Sequence, residues 1–137
     1  MRTPVFVDSN IWLYAFLKQE EKKRKKAKKL IKSIKNDSLW ISTQIINEVC
    51  FNLRKNNFPE SEIREIVSSF YNDYRVVYFK KEIMINASEF RERYSLSFWD
   101  SLVIASALSV SCGTLYSEDM HHNQIIESKL RIINPFK

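Results

Sequence analysis

Four carboxylates stand where the chain passes from one kind of local pattern to another: Asp8, Glu48, Asp100 and Asp119. Asp8 follows the β-rich run Val5-Phe6-Val7, and Asp119 follows Thr114-Leu115-Tyr116-Ser117, which puts both at carboxyl ends of strands. Asp100 falls in the first turn of an apolar helix. Glu48 falls on a helix that follows the short run Leu39-Trp40-Ile41. In a parallel α/β sheet such points can converge on one edge, where these folds bind their ligands. Two unit charges ~4 Å apart interact by about 4 kcal/mol at an effective dielectric near 20. Carboxylates held that close take up protons or hold a cation. Oxygen donors without a Cys or His cluster suit Mg²⁺ or Mn²⁺, with several waters retained.

Each acid also has a purely structural reading. Asp8 can cap the helix that follows it. Asp100 stands three residues after Ser97, the spacing of a capping box. Glu48 can be an ordinary surface glutamate, and Asp119 an ordinary turn acid with Glu118 as its rival. Cys50 and Cys112 lie far apart with no metal-ligand spacing, so they read as reduced, buried thiols.

Strand and helix patterns alternate along the chain, and these elements must position the acids. Strands are predicted at Val5–Val7, Leu39–Ile41, Arg75–Phe79, Thr114–Ser117 and Leu130–Ile133. Helices are predicted after Asp8, over Glu20–Lys35, from Ser42 or Thr43, after Pro59, over Glu82–Tyr94 and from Ser97, with a short one around Gln124–Glu127. Gly113 is expected as a left-handed cap. This order predicts a parallel sheet of about five strands with helices on both faces, an α/β/α arrangement. With 137 residues, one glycine and no repeat, residues 1–137 read as one domain.

Charge is concentrated. Lys18 to Lys35 holds ten of the 22 Lys and Arg but two of the 16 Asp and Glu, so the remainder is slightly acidic. The lysines of Glu20–Lys35 surround an apolar stripe of Ala27, Leu30, Ile31 and Ile34. They read either as a solvated face or as a phosphate-tracking surface, with Lys22, Lys23, Arg24, Lys25 and Lys26 as candidate RNA contacts. No run reaches the ~20 apolar residues of a membrane helix, and polar residues interrupt the early apolar run as no signal peptide allows. A cytoplasmic protein with no membrane partner is expected.

The stretches FVDSNIWLYA, STQIINEV, FWDSLVIASAL and LYSEDMHHNQII followed by LRIINPF occur in the order found in PIN-domain nucleases. Nearly the whole chain resembles them, and within them it is most similar to VapC-type toxins of toxin–antitoxin pairs. The resemblance implies a PIN-like three-layer fold and a Mg²⁺- or Mn²⁺-dependent endoribonuclease. Its acidic quartet would be Asp8, Glu48, Asp100 and Asp119, with Asp8 and Asp100 as the usual metal ligands. Asn10 and Ser117 match polar positions that orient those acids. The partners implied are an RNA substrate and a cognate antitoxin.

A homodimer is also expected, for which Tyr71, Tyr74 and Tyr94 are candidate face residues or core. Two other readings stay open: a PIN scaffold that binds RNA or protein without cutting, and a PIN nuclease of RNA processing outside any toxin pair. A phosphate-accepting receiver is disfavoured, because Asp8 lacks an acidic neighbour and no late lysine follows a strand. The chain departs from the family pattern at Ser9, where Thr is common, and at Asn123, where Gly is frequent. His121 and His122 stand where some relatives carry a further acid; they read as substrate contacts or as exposed loop residues.

Overall fold

The computed structural model describes residues 3–137. Six strands form one sheet: β1 (Val5–Val7), β2 (Leu39–Ser42), β3 (Arg75–Val77), β4 (Thr114–Tyr116), β5 (Ile125–Ile126) and β6 (Leu130–Ile133), in the order β3-β2-β1-β4-β6-β5. All pairings are parallel except β5 with β6. Six helices join them: α1 (Ser9–Phe16), α2 (Glu21–Ser33), α3 (Thr43–Lys55), α4 (Glu60–Asp73), α5 (Lys81–Tyr94) and α6 (Phe98–Ser109).

The chain runs outward from β1 through β2 to β3, then crosses back to place β4 on the other side of β1. Right-handed crossovers in opposite directions put their helices on opposite faces of the sheet. Accordingly α1 packs with α2 and α3, α3 packs with α4, and α5 pairs with α6. The reversal between β1 and β4 is the topological switch point, and the crevice beyond its strand ends is where such sheets bind ligands.

Local sequence explains the elements that frame this crevice. Phe6 and Val7 are wholly buried in β1. Ser42 ends β2 and caps α3, accepting the Ile45 amide at 3.2 Å. Ser97 caps α6 by accepting the Asp100 amide at 3.2 Å. The run Ser101–Ala107 is buried on every side of α6, as its apolar and small residues predict. By contrast α2 buries only Ala27. Among the described residues no helix is long and apolar enough to cross a membrane.

Three expectations change. The stretch around Gln124–Glu127 is not a helix; Ile125 and Ile126 form β5, antiparallel to β6, and raise the strand count to six. The hairpin turns on Glu127 and Ser128, both left-handed at φ 53° and 56°, without a glycine to announce it. Gly113 is not the left-handed cap, a role taken by Ser111 at φ 59°. A Cβ at Gly113 would meet the methyl of the exposed Thr3 at 2.6 Å, so a larger residue there would require that side chain to shift.

Of the tyrosines considered for a dimer face, Tyr74 packs against Trp12 and Phe70, and Tyr94 donates to Glu127 at 2.6 Å. Tyr71 is exposed. Cys112 is buried, which pushes its thiol up to about 12, and Cys50 is half-buried.

Candidate active site

Asp8 sits at the centre of the crevice. Its backbone amide still belongs to the sheet, donating to the Tyr116 carbonyl at 3.0 Å, while its side chain turns to cap α1. Oδ1 accepts the Ser9 amide at 2.8 Å and Oδ2 accepts the Ser117 hydroxyl at 2.8 Å. The side chain is almost wholly buried. The capping role and a chemical role are therefore not alternatives, because the cap leaves the carboxylate facing the end of β4.

Asn10, in the first turn of α1, ties Asp8's strand to the residues after β4. Its Nδ2 donates to Asp119 Oδ2 at 3.1 Å and lies 3.5 Å from Ser117 Oγ. Its Oδ1 accepts the Glu118 amide at 3.2 Å. Glu118 and Asp119 have different partners. Glu118 turns away, accepting Tyr14 Oη and Lys23 Nζ at 2.5 Å each. Burial alone would raise its pKa, but these two donors outweigh it and lower it. Asp119 is the acid left facing Asn10.

From the other direction, Glu48 on α3 accepts Ser9 Oγ at 2.8 Å and Gln44 Nε2 at 2.8 Å. Ser9 thus bridges the capped Asp8 and Glu48. The sequence marks Ser9 only as standing where Thr is common, not as a partner of Glu48, and it does not mark Gln44 at all. Only the i, i+4 spacing of Gln44 and Glu48 could have suggested one of them.

The four acids feel one another. Burial raises the Asp8 pKa from 3.8 to about 6, against the Ser117 and Ser9 hydrogen bonds, and the charges of Glu48 and Asp100 push it further. Asp100 is raised chiefly by burial, opposed by Ser97, with Asp119 and Glu48 adding to the rise. None of the ion pairs among the described residues involves any of the four. The crevice is therefore a negatively charged, partly dry place.

Among the described residues no three acidic, imidazole or thiol side chains close around a single point tightly enough to grip a metal alone. The donor set nevertheless fits a hard divalent ion. Mg²⁺ is typically held by one or two carboxylates, with waters and substrate phosphate completing the shell. Asp8 and Asp100, raised in pKa and mutually repelling, are carboxylates that such an ion would relieve.

Other predicted residues fall elsewhere. Lys22, Lys25 and Lys26 are exposed on α2, whereas Lys23 is bound to Glu118 and Arg24 lies 3.4 Å from Glu21. Tyr14, which the sequence did not single out, joins the Lys23–Glu118 pair and stacks edge-on against Phe136. His122 Nδ1 accepts the Asn134 amide at 2.9 Å, a structural contact, while His121 is exposed.

The parallel sheet, its switch point and the acids beyond it define an α/β protein of the PIN class. Residues 5–126 match the PIN domain family model, and the chain belongs to that family. A sequence search of curated proteins finds no significant match. Solved structures show the same fold. A toxin–antitoxin complex from Klebsiella pneumoniae superposes with a TM-score of 0.75 at 19% identity, covering 96% of this chain and 97% of that one. VapC20 of Mycobacterium tuberculosis, a toxin that cleaves the sarcin–ricin loop, gives 0.68 at 18% identity over 81% and 86%. DNA-bound VapBC from Salmonella typhimurium gives 0.67 at 17% identity over 96% and 97%.

Proposed function

We propose that this chain is a divalent-metal-dependent endoribonuclease of the VapC type, the toxin of a toxin–antitoxin pair acting in the cytoplasm. One observation carries the reading: the charges of Glu48, Asp100 and Asp119 act on the raised carboxyls of Asp8 and Asp100, and none of the four acids is in an ion pair among the described residues. Family membership and the toxin complexes among its structural neighbours support it.

Asp8 and Asp100 would hold Mg²⁺ or Mn²⁺, with Asp119 binding directly or through water and Glu48 completing the shell. With such an ion held there, the site would gain Lewis acidity toward the scissile phosphate and toward a bound water. Ser117 and the Ser9 amide fix the Asp8 carboxylate in one orientation. Asn10 donates to Asp119, and Ser9 and Gln44 donate to Glu48. The remaining partners on this reading are a second copy of the chain and an antitoxin that covers the cleft.

The purified chain with Mn²⁺ should cut structured RNA, leaving 5′-phosphate ends, and Asp8→Asn should reduce cutting to background. Equal cutting by wild type and Asp8→Asn would reject the assignment. Calorimetric Mn²⁺ titration separates this reading from an inert scaffold, which would bind RNA without requiring the ion.

A further inference from the structure

The turn that carries Asp100 is fastened from α5. Arg91 Nη1 donates to Ser101 Oγ at 2.8 Å, and that hydroxyl donates in turn to the Phe98 carbonyl at 2.6 Å. The same guanidinium lies over the Phe98 ring, 4.4 Å from its centroid. Arg91 thus touches Phe98 and Ser101, the two residues that bracket Trp99 and Asp100 at the start of α6. Its own backbone is fixed as well: its carbonyl accepts the amide of Ser95, the left-handed residue that ends α5, at 3.1 Å. Only Ser95, Leu96 and Ser97 separate the two helices.

Asp100 depends on its own turn more than the other three acids do. Asp8 is held by Ser117, Glu48 by Ser9 and Asp119 by Asn10, each a donor from a distant segment. Asp100 has Ser97, three residues earlier in the same turn. The first turn of a helix is also where amides lack intrahelical partners. Here the flanking side chains pack little, since Phe98 is 51% exposed and Trp99 62%. The place of the Asp100 carboxylate therefore follows from how firmly this backbone is held.

Fold stability alone does not call for an arginine at this point. A cation beside a helix N-terminus opposes the macrodipole, which favours cations at the other end. None of the ion pairs among the described residues includes Arg91. Its hydrogen-bond acceptor is a hydroxyl that is itself wholly buried, one residue beyond Asp100. A planar guanidinium suits this double task, because it can stack on a ring and donate along its edge at once.

We infer that Arg91 is a positioning residue for Asp100. It fixes the backbone of the first turn of α6, so that the Asp100 carboxylate projects into the crevice it shares with Asp8, while the carboxylate itself stays untethered. Arg91 acts only through Phe98 and Ser101: it makes no hydrogen bond or ion pair with any of the four acids among the described residues. The inference rests on the metal-dependent reading above and adds to it a residue outside the acidic quartet.

The test is a double-mutant cycle on the full chain, read by calorimetric Mn²⁺ titration and by water proton relaxation of the bound Mn²⁺. Arg91→Ala should weaken Mn²⁺ binding by roughly 3- to 10-fold, less than the 10- to 100-fold typical of a group bonded directly to a ligand. Relaxation enhancement per bound Mn²⁺ should rise, because water replaces a displaced carboxylate. In an Asp100→Asn background the same change should alter Mn²⁺ affinity by less than about 2-fold, whereas independent effects would add. Ser101→Ala removes the acceptor while raising helix propensity, so its loss of Mn²⁺ affinity would not be a loss of helix. Arg91→Lys keeps a donor and a cation over Phe98 and should restore most of the affinity. In the metal-free protein, Arg91→Ala should speed amide exchange at Asp100, Ser101 and Leu102 relative to β1.

If Arg91→Ala costs the same Mn²⁺ affinity with Asp100 as with Asn at that position, the inference is overturned and the metal reading stands. Wild-type Mn²⁺ affinity and relaxation in both Arg91→Ala and Ser101→Ala would overturn it in the same way. If Arg91→Ala fails to fold, the cycle between Ser101→Ala and Asp100→Asn decides the question. If the wild type itself binds no Mn²⁺, the metal reading falls and takes the role of Arg91 with it.

Discussion

The two sides of the crevice are built differently. On the sheet side, Asp8 and Asp119 are fastened through Ser117 and Asn10, whose hydrogen bonds span more than 100 residues of sequence. On the helix side, Glu48 is held by Ser9 and Gln44, and Asp100's hydrogen-bond partner among the described residues is Ser97 of its own first turn. Strand ends are fixed by neighbours on either side, so a carboxylate there can be buried and still keep one orientation. A helix presents its acid from outside the sheet and leaves it freer to meet a ligand. The sheet side is thus the rigid reference against which the helix side completes a site.

The largest effect that sharpens this contrast should come from the fastening residues themselves. Groups that orient metal ligands typically contribute 10- to 100-fold to metal affinity. Ser117→Ala and Asn10→Ala should each weaken Mn²⁺ binding by about that factor in calorimetry. Gln44→Ala, on the helix side, should leave Mn²⁺ affinity nearly unchanged. Equal losses on both sides would mean that the crevice is one uniformly pre-built cage.

The next effect concerns the cost of burying Asp8. A carboxyl raised from 3.8 to about 6 on folding binds its proton more tightly in the native state. Its contribution therefore favours folding most below pH 3.8 and is lost as pH rises toward about 6. The full cost above that pH is about 3 kcal/mol. Without metal, Asp8→Asn should be more stable than wild type at pH 7.5 by up to that amount, and the gap should close near pH 4. Paired denaturant melts give this difference while cancelling Glu118, whose lowered pKa acts in the opposite direction. Mn²⁺ should narrow the gap at pH 7.5 by stabilising the wild type. A metal-free mutant that is less stable than wild type at pH 7.5 would contradict a desolvated Asp8.

The contrast also explains what the sequence could disclose. The alternation of β-rich runs with helical stripes exposed the parallel sheet, and Asp8, Asp100 and Asp119 were visible because element ends are visible. β5 was not, since two isoleucines between polar residues carry no period, and its turn uses Glu127 and Ser128 in place of glycine. Nor did the sequence show any sign that Tyr14 and Lys23 reach Glu118 from α1 and α2. Ser9 and Gln44 were hidden for the same reason, because their role depends on Glu48 arriving from another segment. Residues that act through local geometry were readable, whereas those that act through a long-range partner were not.

The smallest effect tests how far α2 belongs to the rigid side. Lys23 is pinned to Glu118, next to Asp119, while Lys22, Lys25 and Lys26 extend outward from the same helix. Exposed lysines, unlike Lys23, are free to displace counterions from RNA. Each single-strand phosphate contact contributes about 0.7 to the slope of log affinity against log salt. Replacing Lys22, Lys25 and Lys26 with Gln should flatten that slope by up to about 2, as anisotropy across a salt series would show. Lys23→Gln should leave the slope alone and weaken Mn²⁺ binding instead, because releasing Glu118 loosens the segment that carries Asp119. If Lys23→Gln flattens the salt slope and spares the metal, Lys23 serves the RNA directly, and α2 plays no part in holding the sheet side of the crevice.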